Sequence, residues 1–368
     1  MKAIALYPSN SELKIIDVNE PSITQPSEVK IQVMQVGICG TDREEVNGGR
    51  VDAPQGSNDL IIGHEMIGRV VEVGSGVRYF KVGDYAIVTV RRGCGRCPAC
   101  RMSRYDMCLT GEYKERGIKE LNGFQTEFVV DQERFMIKVP ASIIDVAVMT
   151  EPFSIVQKAI DEVMRIQIDR LPSAADPGQW MRGRQVLVAG LGPVGLLAAL
   201  ALRLREARVL GMDIVDENTP RPQILKELGG EYINSTKLNG QQIKDKYGQI
   251  DILFDATGIV KPEFDLMHCL GINGAYVITG IPCKSQDITI DGAEFMRNLV
   301  LRNQVLLGSV NASEAHFQRA VDDLEEGNKR WPGVIQKFIT HRIPFKNMHE
   351  VLTHHSPDEI KAVIEWAN

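Results

Sequence analysis

Gln185–Leu204 reads QVLVAGLGPVGLLAALALRL, and this stretch decides the fold. A short apolar run ends at Ala189. The turn Gly190-Leu191-Gly192-Pro193-Val194-Gly195 follows, and an apolar helical pattern follows that. A lone G-x-G-x-x-G says little, but between a strand and a helix it marks a phosphate-binding turn. The first glycine makes the turn, the second lets backbone approach a pyrophosphate, and the third allows close helix–strand packing. The amides at the helix N-terminus then favour phosphate charge. Val186–Leu202 carries no charge over 17 residues. That is slightly short for a bilayer span, and the Gly-Pro turn breaks it, so it reads as a buried strand, a turn and a buried helix.

Downstream, ARVLGMD, DILFDATG and AYVITG repeat the short β-rich pattern with helical stretches between them. This predicts a doubly wound parallel sheet over about 180–310 in an α/β fold. ARVLGMD ends at Asp213, 18 residues beyond Gly195. An acid there accepts a ribose 2′-OH and repels a 2′-phosphate. Ile214 and Val215 follow, with no adjacent arginine, so NAD is expected over NADP unless another basic group such as Arg221 overrides the acid. Asp255-Ala256-Thr257-Gly258 and Thr279-Gly280-Ile281 end later strands and are expected to face the cofactor.

Upstream, VKIQVMQVG (29–37), GRVVEVGSG (68–76) and DYAIVTV (84–90) are β patterns punctuated by glycine-rich turns, which suggests a small barrel or curled sheet. The N-terminal MKAIALYPSNSELKII reads as a first strand, not a signal peptide. EPFSIVQKAIDEVMRI (151–166) reads as an amphipathic helix, 171–180 as a loop, and the region after about Val310 as a helical tail. A net charge of −6 without a long basic run argues against nucleic acid or an anionic membrane as partner. Seven cysteines, four of them clustered, fit a reducing cytoplasm.

The cluster is RRGCGRCPACRMSRYDMC (91–108), with Cys94, Cys97, Cys100 and Cys108 spaced C-x2-C-x2-C-x7-C. Four thiolates this close suit one closed tetrahedral zinc that couples binding to folding. An iron–sulfur cluster is the main competitor, but its signature closes with a three-residue gap and a proline. Here the gap is seven and Leu109 follows. Three cysteines so close in sequence also pair poorly as disulfides.

Three smaller pieces are unremarkable alone: Gly37-Ile38-Cys39-Gly40-Thr41-Asp42 after a strand, Gly63-His64-Glu65 before another, and Glu151 opening a helix. With the cysteine lobe and the G-x-G-P-x-G turn, they stand in the order found in zinc-dependent medium-chain dehydrogenases, which the chain resembles over nearly its whole length. GICGTDREEVNG, RRGCG-x-C, C-x-TGE and EPFSIVQKAI are most similar to the archaeal-type glucose dehydrogenases.

The resemblance implies a GroES-like catalytic domain over 1–155 carrying the zinc lobe (94–108), a Rossmann domain over 180–310, and a segment 311–368 returning to the catalytic domain. It implies two zinc ions per chain, one structural and one catalytic. Cys39 and His64 would hold the catalytic ion, with Glu65 and Glu151 as exchanging ligands. Fewer than four fixed protein ligands leaves room for a substrate hydroxyl. Zinc would lower that hydroxyl's pKa, and hydride would pass to the nicotinamide. Thr41 matches the hydroxyl that passes the proton outward, and Asp42 would orient the metal shell. Glu115 matches a sugar-binding acid, and Asn311 a substrate and cofactor contact. Thr279, Ile281, Ser309 and Val310 match cofactor-contacting positions. Family members are commonly homodimers or homotetramers.

Two positions depart from the glucose branch. Val90 stands for an asparagine and Ile155 for an aspartate. Both replace hydrogen-bonding groups with apolar ones, so a deoxy or otherwise different sugar or a polyol is expected in place of glucose. A threonine, sorbitol or simple secondary-alcohol dehydrogenase is the next reading, and a non-catalytic NAD-binding sensor the one after.

Overall fold

The computed structural model describes residues 1–172, 176–282 and 285–367. The chain forms two compact units: Met1–Ser154 with Asn311–Asn328 and Ile335–Asn368, and Ile155–Val310 with Lys329–Val334. No helix among the described residues is long and apolar enough to cross a membrane.

The first unit is a curled β structure. Glu28–Ile38 is its spine. Its residues alternate between half-buried and buried along the N-terminal half, the period-two signature of a strand with one face in the core. It pairs antiparallel with Glu65–Val73, Phe128–Gln132 and Lys361–Glu365. Tyr85–Val88 and Met136–Val139 extend the sheet on one side, and Ile339–Pro344 on the other. The core beneath includes Val29, Ile31, Val33, Val36, Met66, Val70 and Phe124. Lys2–Tyr7 and Glu12–Asp17 form an N-terminal antiparallel pair.

The second unit carries the α/β layer. Six described strands form a parallel sheet with spatial order Glu231–Asn234, Arg208–Asp213, Gln185–Ala189, Ile250–Asp255, Leu270–Ile278 and Val305–Gly308. Numbered along the chain, that order is 3-2-1-4-5-6, the doubly wound dinucleotide-binding arrangement. Gln185–Ala189 is buried at every position, because helices cover both faces of such a sheet.

The structure corrects two expectations. The loop expected over 171–180 contains a short helix, Pro177–Met181, and its residues 173–175 lie outside the described residues. The tail is not all helical. Glu314–Arg330 is a helix, but the chain then forms the strands Ile339–Pro344 and Lys361–Glu365. KAVIE is only five residues long, and periodicity cannot separate strand from helix at that length.

Candidate active site and metal centres

Cys39, His64 and Glu65 come from two segments that flank paired strands. Gly37 opposes Glu65 in the register of Glu28–Ile38 against Glu65–Val73. Cys39 is the N-cap of the helix Gly40–Val46, and its backbone N–H donates to Asp42 Oδ2 at 2.7 Å. One ligand atom from each of Cys39, His64 and Glu65 lies within 4.8 Å of the others. His64 and Glu65 are buried, and Cys39 is half-buried.

The electrostatics suit a cation. Burial opposes a charge on His64, but the Asp42 carboxylate and Cys39 outweigh it and hold the imidazole well above its ordinary pKa. A negative field that favours a proton there favours a metal ion in its place. Asp42 Oδ1 lies 3.4 Å from His64 Nδ1 without hydrogen-bond geometry, and Asp42 is fully buried. Glu65 Oε1 is buried and takes no hydrogen bond from the described residues. Polar atoms left unsatisfied in this way are expensive unless something binds them, and a thiolate, an imidazole and a carboxylate form a donor set that zinc accepts. The residues present therefore fit the catalytic ion.

Glu151 lies in the first turn of Thr150–Arg170 and is buried. Burial pushes its carboxyl up to about 7, with His64 pulling it down and Glu65 pushing it further up, so its charge depends on the same cluster. Thr41 Oγ1 is 3.8 Å from Cys39 Sγ. Two participants were not legible in the sequence. Lys361 is 2% exposed and forms an ion pair with Glu65. Glu45 is 1% exposed, and burial, with Asp42 nearby, pushes it up to about 9. Glu45 falls within the GICGTDREEVNG stretch, where nothing marks its burial, and Lys361 stands in no local motif. Lys361 reaches Glu65 only because the C-terminal strand pairs with Glu28–Ile38.

The cysteine lobe closes as a second cluster. One sulfur from each of Cys94, Cys97, Cys100 and Cys108 lies within 4.8 Å of the rest. The Cys97 and Cys100 amides donate to Cys94 and Cys97 Sγ at 3.4 and 3.5 Å. The Thr110 hydroxyl and neighbouring amides hold the Cys94 thiol down to about 6, while burial pushes Cys100 up to about 12. Four convergent sulfurs with amides aimed at them fit a closed zinc site.

Glu115 and Asn311 also meet. Asn311 Nδ2 donates to Glu115 Oε1 at 2.7 Å, and Arg91 donates to the same oxygen. Val90 is 2% exposed, so its side chain offers a ligand almost no surface, while Ile155 in the other unit is half-buried.

In the second unit the three glycines divide their tasks. Gly190 has φ +83°. A Cβ on Gly192 would meet nothing within 4 Å, which leaves an open face at the N-cap of Pro193–Leu204. A Cβ on Gly195 would overlap the Gly190 carbonyl oxygen. This cradle fits a pyrophosphate beside Leu191, Pro193 and Val194. Asp213 accepts the Leu191 N–H at 2.9 Å and the Ile214 N–H at 2.7 Å. The fold also brings Arg221 to 3.6 Å from Asp213, supplying the basic neighbour that the adjacent sequence lacks. Thr257 and Thr279 are both tied to Asp255, through its Oδ1 and its carbonyl. Ser309 is buried, and Ile281 and Val310 are exposed.

The description Glucose dehydrogenase C-terminus matches residues 144–366, and Alcohol dehydrogenase GroES-like domain matches residues 25–141. The chain belongs to the zinc-dependent medium-chain dehydrogenases, in their glucose dehydrogenase branch. It is 36% identical to the glucose 1-dehydrogenase of Methanocella arvoryzae, over 99% of each chain. It is 37% identical to glucose 1-dehydrogenase 2 of Vulcanisaeta moutnovskia, again over 99% of each. Among solved structures, the Haloferax mediterranei glucose dehydrogenase in complex with NADP, Zn and gluconolactone superposes with a TM-score of 0.89, at 27% identity over 100% of both chains. Membership of this branch makes the protein an NAD(P)-dependent oxidoreductase of CH–OH groups.

Proposed function

We propose that the protein oxidises a hydroxyl of a sugar or polyol, with the residues described above in the following roles. The convergence of Cys39, His64 and Glu65 in one buried, negatively biased cluster carries this reading. Cys39 and His64 would hold the catalytic zinc, with Glu65 and Glu151 available to complete its shell. Bound there, zinc would lower the pKa of a substrate hydroxyl toward neutrality. Thr41, beside Cys39, is placed to carry the released proton outward. Lys361 forms an ion pair with Glu65, which would hold that carboxylate beside the cluster. Glu115 and Asn311 would bind sugar hydroxyls, and the glycine turn with Asp213, Thr257, Thr279, Ile281, Ser309, Val310 and Asn311 would hold NAD(P).

Asp213 supports NAD, and the nearby Arg221 supports acceptance of NADP as well. Ile155 supports a substrate less hydroxylated than glucose. The four clustered thiols support a cytoplasmic enzyme, and the family likeness a homodimer or homotetramer. The test is reduction of NAD+ and NADP+ across a panel of hexoses, deoxyhexoses, polyols, threonine and simple secondary alcohols, with metal content measured on the same protein. Turnover of threonine or a simple alcohol above every sugar and polyol would overturn the substrate class.

A further inference from the structure

We infer that Arg91 is a positioning residue that fixes which oxygen of Glu115 meets the substrate; the inference rests on the sugar-oxidising reading above. Arg91 and Glu115 face each other in the register of the paired strands Arg91–Arg92 and Lys114–Arg116. Their side chains are 9% and 12% exposed. An arginine and a carboxylate usually pair fork to fork, each nitrogen taking its own oxygen. Here Nε and Nη2 both donate to Glu115 Oε1, at 3.1 and 3.0 Å. Asn311 Nδ2 donates to that same oxygen at 2.7 Å. Three donors saturate Oε1. Oε2 takes no hydrogen bond from the described residues, and it is the acceptor left for a sugar hydroxyl.

The guanidinium is itself pinned. Its Nη1 donates to the Asp106 carbonyl at 2.9 Å, and its central carbon lies 3.9 Å from the centroid of the Tyr113 ring. Asp106 stands two residues before Cys108, so the anchor of Arg91 belongs to the cysteine lobe. Asn311 is equally fixed: its φ is +61°, and its Oδ1 accepts the Ala312 N–H at 3.0 Å. A lysine at position 91 keeps the charge but not the planar fork that places two donors on one oxygen.

The test uses the intact enzyme and the best substrate of the panel. R91M should raise KM for that substrate about tenfold or more, leave KM for NAD(P) unchanged, and change kcat less. R91K should fall between R91M and wild type. The double variant R91M/E115Q should have the KM of E115Q alone, because Arg91 acts through Glu115. A merely structural arginine would lower Tm and kcat with KM unmoved, or would multiply independently with E115Q, and either result overturns the inference. Should R91M fail to fold, R91K alone and with E115Q carries the same comparison. If E115Q raises KM and the Arg91 variants do not, only the inference falls. If E115Q leaves KM unchanged for every sugar and polyol, Glu115 is no substrate contact and the inference falls, whereas the sugar-oxidising reading falls only if the best substrate is neither a sugar nor a polyol.

Discussion

A Cβ on Gly37 would fall on the Glu65 carboxylate and within 2.9 Å of Lys361. The glycine of GICGTD is thus a space requirement of the Cys39–His64–Glu65 cluster, visible in the sequence as a motif but explained only by the neighbouring strand. Residue-scale predictions start from the same cluster. His64→Ala should abolish turnover while NAD(P) binding, measured by fluorescence titration, persists, since the glycine turn, Asp213, Thr257 and Thr279 belong to the other unit. Thr41→Ala should slow kcat less severely, because water partly replaces a proton relay. Near-normal kcat in His64→Ala would refute the catalytic-zinc assignment. At the nucleotide turn, Arg221→Ala should lower kcat/KM for NADP more than for NAD, and Asp213→Asn should do the reverse. Equal loss with both cofactors in each variant would show that neither residue reads the 2′ position.

Elements convert such residues into sites by fixing how far they stray. The cysteine lobe is held to the sheet by Arg92 and Arg116, which both meet Asp131 Oδ2 at 2.6 Å. Burial alone would raise the Asp131 pKa, but the two guanidinium groups hold it below its ordinary value. A depressed folded-state pKa contributes stability that is present above the unfolded value of about 3.9 and lost as pH falls through the folded value. Asp131→Asn should therefore cost about 3–5 kcal/mol near neutral pH, by leaving two arginines uncompensated. In thermal melts the gap from wild type should close as pH falls below about 4. A gap that stays constant with pH would show that charge is not what the carboxylate contributes. Within the lobe, Cys97→Ala should remove one of two zinc ions and lower Tm, because a closed site couples metal binding to folding. In the other unit, Gly195→Ala should cost about 1–3 kcal/mol, because the added methyl overlaps the Gly190 carbonyl and the turn must shift.

For the whole molecule, the proposed substrate choice rests on which polar groups survive. Ile155→Asp should raise kcat/KM for glucose relative to the native substrate by about tenfold. Val90→Asn should instead lower stability, because Val90 is 2% exposed and the amide would be buried. A glucose gain from Val90→Asn without loss of Tm would show that the strand end opens to substrate. The sequence by itself determined the two-part α/β architecture, the nucleotide turn and the four-cysteine cluster. Each is local: a turn needs glycines at fixed offsets, alternating strand and helix patterns dictate a layered sheet, and tight turns gather nearby sulfurs. Tertiary structure decided what sequence distance hides. Lys361 meets Glu65 across 296 positions through strand pairing, Arg221 reaches Asp213 across a helix entry, and Asn311 closes on Glu115 across 196. It also turned the end of the expected helical tail, beyond Glu314–Arg330, into strands, since a short, largely apolar run takes its conformation from the strand it pairs with.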